Sequence, residues 1–249
     1  MGCKAKDIRN SKESAWRKYC AVTHGKIAFW RVLRNELLVL LFSKVPGALG
    51  MAFRRIFYPC MFRSCGRKVV FGTDLSFRHA AKIDLGDGVV LDDGVMLDAK
   101  GDDNHGITLD NGVFIGRFTK LYCKNGDIRL LEKANISSNS TLYSNNSLTI
   151  GKGCMVGAYT YILSGGEYDP LDPHPYCEQN GMNTKGPLVI GDDCWIGARV
   201  TILDSAQKVG NRALIAASAL VNRPVAEGDL VAGVPARVIK NFSKRNLDN

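Results

Sequence analysis

Apolar positions in the second half of the chain recur every six residues. Between Leu188 and Lys240 they fall at Ile190, Ile196 and Ile202, then at Val209, Ile215 and Val221. Small residues follow several of them directly: Gly191, Gly197, Gly210 and Ala216. A period of six fits neither the 3.6 of a helix nor a ladder of hairpins. It fits a parallel β-helix, in which each hexapeptide forms one short side of a coil. The branched aliphatic then points inward, and the small residue lets the chain turn where backbones crowd. Three hexapeptides close one coil, and stacked coils bury a continuous apolar column.

The same pattern extends upstream. Leu85/Leu91/Leu97, Leu109/Ile115/Leu121, Leu130/Ile136/Leu142 and Ile150/Val156/Ile162 complete a set of six coils. The column is predicted over residues 71–240, and the fold class is all-β. Between coils the register slips by a few residues, which predicts small corner insertions. One slip is far larger: 28 residues separate Ile162 from Ile190. Long insertions in solenoids lie on one face and often carry function, so loop 163–189 is the place to look for chemistry. Pro224 and Pro235 are expected to end regular pairing and close the column, leaving a polar tail at 241–249.

Residues 1–70 read differently. After a polar, basic start, Ile27, Trp30, Leu33, Leu37, Leu38 and Leu41 recur at helical spacing among Lys26, Arg31 and Arg34. A turn at Pro46-Gly47 precedes a second apolar and basic run, Leu49–Phe62, which carries Arg54 and Arg55. This predicts an N-terminal helical segment. Its longest apolar run, Leu37–Phe42, is far too short to span a bilayer. Apolar and basic helices of this kind suit the membrane interface; packing on the column or on a neighbouring subunit is the alternative.

Charge sharpens that division. The net charge of +9 is concentrated in Met1–Lys68, which holds 15 Lys/Arg against 3 Asp/Glu. An anionic membrane surface fits such a segment; a nucleic-acid partner has only charge in its favour and no motif, and is not expected. Eight cysteines are scattered without a C-x-x-C pair, as expected of free thiols in a reducing, cytoplasmic setting. Cys154 and Cys194 fall inside repeats, where Cys serves as a small core residue. The first 25 residues are polar, so no secretory signal is expected. The location expected is cytoplasmic, peripheral at the inner face of the cell membrane.

The run IGDDCWIGARVTIL, followed by IAASALV and AGVPARVIK, resembles the hexapeptide-repeat acyltransferases, most of all their sugar O-acetyltransferase branch. The resemblance covers roughly residues 80–240. It implies a left-handed parallel β-helix, a homotrimer, and acetyl-CoA held in a groove between neighbouring columns. It also implies a sugar or polysaccharide-precursor acceptor. By the same likeness Trp195 packs near the thioester, and Gly197, Ala198, Ala216 and Ala217 line the pantetheine arm. Asn222, Arg223, Arg237 and Lys240 match the region around the nucleotide phosphates, where fixed positive charge is useful.

A sugar hydroxyl needs a general base at neutral pH, and histidine suits the task. Of four histidines, His174 lies in the long insertion ahead of Asn180-Gly181 and the WIG repeat. That spacing is similar to the catalytic histidine of the galactoside-type enzymes, so His174 is the expected base. The family often has a further His just after the preceding coil, where this chain has Gly165-Gly166-Glu167-Tyr168-Asp169. Glu167 or Asp169 is expected to orient His174, as a carboxylate does in a triad, or to act as base itself. His105, in the other Gly/Asp-rich insertion, is the second choice; His79 and His24 are expected to be structural. A zinc enzyme on the same column would need several histidines on neighbouring coils, so no metal is expected. The competing readings are an N-acetyltransferase of a nucleotide-linked amino sugar and a non-catalytic scaffold docked at the membrane.

Overall fold

Three parallel sheets run the length of the column, and each takes one strand from every coil. A computed structural model describes residues 13–25, 27–166, 168–169, 171–176, 178–179 and 183–242. Seven complete coils and part of an eighth are stacked, with coil strands of two to four residues. The repeat positions lie side by side. Leu85, Leu109, Leu130, Ile150, Ile190 and Val209 form one inward row on the first sheet. Leu91, Ile115, Ile136, Val156, Ile196 and Ile215 form the row on the second. Leu97, Leu121, Leu142, Ile162, Ile202 and Val221 form the row on the third. All of these side chains are buried. Cys154 and Cys194 are buried with them as unpaired thiols.

The column starts earlier than the hexapeptide pattern indicates. A first coil pairs Cys65 with Leu85, Phe71 with Leu91 and Phe77 with Leu97. A sulfur and two aromatics stand where later coils carry branched aliphatics, which hides the repeat. Their size has a structural reason. This coil has no coil beneath it, and Tyr58, Phe62, Phe71 and Phe77 pack together to plug the open end, the Phe62 and Phe77 rings 4.9 Å apart. At the far end Pro224 does not stop the pairing. Val225 still bridges to Val209, and Asp229–Ala232 continues the second sheet. The closing element is the antiparallel strand Arg237–Asn241.

Turning three times per coil forces left-handed backbone at the corners. Between the second and third sides these residues include Phe118, Tyr159, Arg199 and Ser218, with φ between 56° and 62°. Non-glycine residues there cost roughly 1–2 kcal/mol each. Backbone hydrogen bonds to the preceding coil offset the cost: the N–H groups of Tyr159, Arg199 and Ser218 donate to Ser138, Ala158 and Ala198 at 2.9–3.1 Å. Gly197 is small for the same stacking reason. A Cβ there would lie 2.6 Å from the Ala217 nitrogen of the next coil.

Three helices precede the column: α1 (Ala15–Thr23), α2 (Phe29–Phe42) and α3 (Gly47–Phe57), the last followed by a short 3-10 turn at Tyr58–Met61. Arg54 fastens them to it. Its guanidinium is buried and donates to the carbonyls of Phe71 (3.0 Å), Phe42 (2.9 Å) and Val45 (2.8 Å), which joins both long helices to the first coil. Among the described residues no helix is long and apolar enough to cross a membrane.

Three charged hydrogen bonds to otherwise buried carbonyls make Arg54 the critical attachment. Arg54→Ala is expected to lower unfolding free energy by about 3 kcal/mol in chemical denaturation. A loss below about 1 kcal/mol would show that the helices do not depend on it.

Candidate active site

All variation in coil length sits at one edge of the prism, between the third and first sides. The longest insertion leaves after Tyr161–Ser164 and returns at Leu188–Ile190. Its two ends are tied by one buried carboxylate. Asp204, in the same corner of the next coil, accepts from the Gly165 N–H at 2.7 Å and from the Lys185 N–H. Asn146 of the preceding coil donates to the Thr184 hydroxyl at 3.2 Å. The loop therefore springs from a fixed root although its tip is exposed.

His174 stands on that tip. Asp172 Oδ1 accepts from the His174 backbone N–H at 2.9 Å and lies 2.7 Å from Nδ1. These two bonds, the backbone one foremost, hold the Asp172 carboxyl below the usual carboxylate range. An ionised Asp172 fixes the proton of a neutral imidazole on Nδ1 and leaves Nε2 as the basic nitrogen. Among the described residues the carboxylate in contact with His174 is thus Asp172, two residues away. Asp169 Oδ1 instead accepts from the Leu171 N–H at 2.9 Å, closing a local turn. Glu167, Asn180 and Gly181 lie outside the described residues. The signal missed in the sequence is short: Asp-Pro-His places a carboxylate two residues before a histidine, the span of an Asx turn. Nothing in the sequence marks Asp204 as the root of the loop.

Tyrosines extend the loop onto the third side. Tyr168 and Tyr176 lie 5.7 Å apart, centroid to centroid. Burial, with the neighbouring Tyr161 and Tyr168 phenols, pushes the Tyr143 hydroxyl up to about 12.

The other histidines are engaged elsewhere. His105 is in the shorter insertion on the same edge, three coils away, about 14 Å at 4.8 Å per strand. Its Nε2 lies 2.6 Å from Arg63 and 3.3 Å from Asp84. Burial opposes ionisation of Asp84, but hydrogen bonds from Arg63 and Ser64 prevail and lower its pKa. His24 meets Glu36 at 2.8 Å, and His79 is buried with Nδ1 3.6 Å from Asp98. Among the described residues no three His, Cys, Asp or Glu side chains gather as a metal site.

The residues expected to hold the donor lie on other flanks. Trp195 projects from the second side and is 63% exposed, a large ring without cover. Its row continues through Leu214 and Leu230 to Lys240, three strands on and about 14 Å away. Arg237 pairs with Ala232 on the same sheet. Gly197, Ala198, Ala216 and Ala217 line the corner between the second and third sides, where Ala198 and Ala217 are exposed. Arg223 is exposed at the end of the seventh coil, beside Asn222. Among the described residues Arg223, Arg237 and Lys240 have no carboxylate partner. A flat ring at one end of a row and cations at the other suit a ligand with an apolar arm and phosphates.

The edge that carries His174 is the one edge that does not border the second side. Within one chain the root of the His174 loop and the Trp195 row therefore lie on different flanks of the column.

Comparisons with known proteins agree with this architecture. Residues 187–223 match the family described as the hexapeptide repeat of succinyl-transferase. The Escherichia coli K12 protein named as the lipopolysaccharide biosynthesis O-acetyl transferase WbbJ is 23% identical over 228 residues, covering 90% of this chain and 93% of that one. The galactoside O-acetyltransferase of the same organism is 27% identical over 108 residues, 43% of this chain and about half (51%) of that one. A solved structure of AntD, an N-acyltransferase from Bacillus cereus in complex with dTDP-4-amino-4,6-dideoxyglucose and Coenzyme A, superposes with a TM-score of 0.51 at 21% identity. It covers 72% of this chain and 83% of AntD. Six registered hexapeptide coils and the matched segment 187–223 make the chain similar to the hexapeptide-repeat acyltransferases in repeat and fold.

Proposed function

We propose that this protein transfers an acetyl group from acetyl-CoA to a sugar hydroxyl, in the assembly of a polysaccharide or glycoconjugate. The observation that carries the reading is the Asp172–His174 pair, held on a rooted loop with Nε2 unpartnered among the described residues. Likeness to WbbJ over nearly the whole of both chains supports a saccharide acceptor.

In this reading Nε2 of His174 takes the hydroxyl proton as the sugar oxygen attacks the thioester carbon. The tetrahedral intermediate collapses with loss of the C–S bond, and Nε2 returns the proton to the departing thiolate. No covalent enzyme intermediate is required. Trp195 lies along the acyl-bearing arm, while Arg223, Arg237 and Lys240 supply charge toward the phosphates; the exposed backbone at Ala198 and Ala217 offers close approach. The histidine comes from one column and the Trp195 row from the next, so the assembly is a closed homotrimer.

The exposed apolar residues of the N-terminal helices support a position at the inner face of the cell membrane, against anionic lipid. On α2, Trp30, Leu33, Leu37, Leu40 and Leu41 are all exposed and fall within one helical stripe, while Asn35 and Val32 face the column. The inward side also carries Leu38, Val39 and Phe42 packed on the core, so this helix is apolar on its outer side as well as its inner one. Stripping residues 1–68 would not test this cleanly, because the first coil begins at Ser64 and its plug uses Tyr58 and Phe62.

Free-thiol release from acetyl-CoA, followed over a panel of saccharide acceptors, checks the chemistry. His174→Ala is expected to lower kcat by about 10²-fold or more with donor affinity kept. Asp172→Asn should lose less than His174→Ala and shift the pH profile of kcat/KM. Undiminished turnover in His174→Ala would remove the assignment, and acceptance of amino sugars alone would move the acceptor to an amine. For the helices, Leu37→Gln with Leu40→Gln is expected to abolish co-sedimentation with anionic vesicles at unchanged acetyl-CoA affinity. Unchanged sedimentation would contradict a membrane-facing stripe.

A further inference from the structure

Where the helices meet the first coil, a cavity of about 220 Å³ opens between α3 and the column. Arg55, Arg67 and Lys68 line it together with Pro59, Val69 and Phe71. The three cations are exposed around an apolar floor, where they can meet an anion from solvent or a surface. Among the described residues neither Arg55 nor Lys68 has a carboxylate partner, and Arg67 reaches Asp87 only at 3.5 Å with a side chain 90% exposed. The position of Lys68 is fixed by the fold: it is a left-handed corner residue, φ 60°, so the coil itself aims the pair Arg67-Lys68 outward.

The surroundings identify the anion's carrier. Arg55 stands in the middle of the outer face of α3, whose neighbours Leu49, Met51 and Ile56 are exposed, while Gly50 and Arg54 face inward. A soluble anion site has no use for uncovered Leu, Met and Ile around its mouth. A phosphate that arrives with acyl chains does, because the chains cover the apolar residues as the phosphate meets the cations. A second small cavity beside α2, lined by Arg31, Arg34 and Arg63, lacks this character. There Arg34 donates to Asn35 and to the Cys60 carbonyl, and Arg63 is held by Asp84.

We infer that the cavity formed by Arg55, Arg67 and Lys68 seats the phosphate of an anionic lipid headgroup. The inference rests on the membrane reading above and gives it a specific contact. It fixes how the protein stands on the lipid surface: first coil down, with the later coils, the His174 loop and the Trp195 row raised above the interface. The lowest turn of the column then acts as the foot, and the active region faces acceptors that protrude from the membrane.

The test is co-sedimentation of the full chain with vesicles of phosphatidylcholine alone and of phosphatidylcholine with phosphatidylglycerol. Wild type should prefer the anionic vesicles. Arg67→Gln with Lys68→Gln should reduce that partitioning by on the order of tenfold or more. Arg17→Gln with Lys18→Gln removes the same charge from α1, outside the cavity, and should reduce it clearly less. Unchanged thermal melting of each pair shows that folding is intact. Equal loss in the two pairs would overturn the seat and leave a diffuse electrostatic attraction. Equal binding to both vesicle types, indifferent to the cavity pair, would also overturn it while the membrane reading stands. No binding to either would remove both and leave the apolar stripe to be covered by a second copy of the chain.

Discussion

The structure depends on one constraint: each coil must meet the coil before it in strict register along three sheets at once. Parallel strands of two to four residues are too short to be stable alone, so each is held by its neighbours above and below. That requirement fixes three inward aliphatics per coil and sends three turns into left-handed backbone. It also makes small residues such as Gly197 necessary wherever one corner rides on another. The same constraint leaves only one freedom, the length of the third-to-first corner. Both insertions that carry a histidine use it.

Function grows from that freedom. A loop that leaves and rejoins a rigid column at the same edge can be long without loosening the fold, provided its ends are pinned. Asp204 pins them from inside the core, and Asp172 then sets the proton of His174 at the tip. The flat sides do the complementary work. They offer regular outward rows, and the Trp195 row ends in cations contributed by the terminal strand. The geometry of a triangular prism keeps edge and row apart within one chain, which is why a second column is part of the proposed chemistry.

The repeat was legible because its period belongs to no other architecture. Six coils, their register and the position of the long insertion follow from the aliphatic positions alone. The first coil did not, since Cys65, Phe71 and Phe77 obey a local demand, plugging an end, that overrides the hexapeptide preference. The contact between Asp172 and His174 was not legible for a comparable reason. Asp169 lies nearer the preceding coil, but its carboxylate is taken by the Leu171 N–H, and only the path of the loop reveals Asp172. The helical segment was legible as apolar and basic, yet spacing could not say which side would face the column. Arg54, read only as one of several basic residues, proves to be a buried clamp on three carbonyls.

The central claim is that the active site is shared between neighbouring columns, and subunit mixing tests it most directly. His174→Ala and Trp195→Ala chains, each inactive as a homotrimer, would be co-folded in equal amounts and assayed for acetyl transfer. If one column supplies the histidine and the next the tryptophan, random trimers regain roughly a quarter of wild-type sites. If both residues serve the same site from one chain, no mixture contains an intact site, and the absence of any recovered activity would contradict the account.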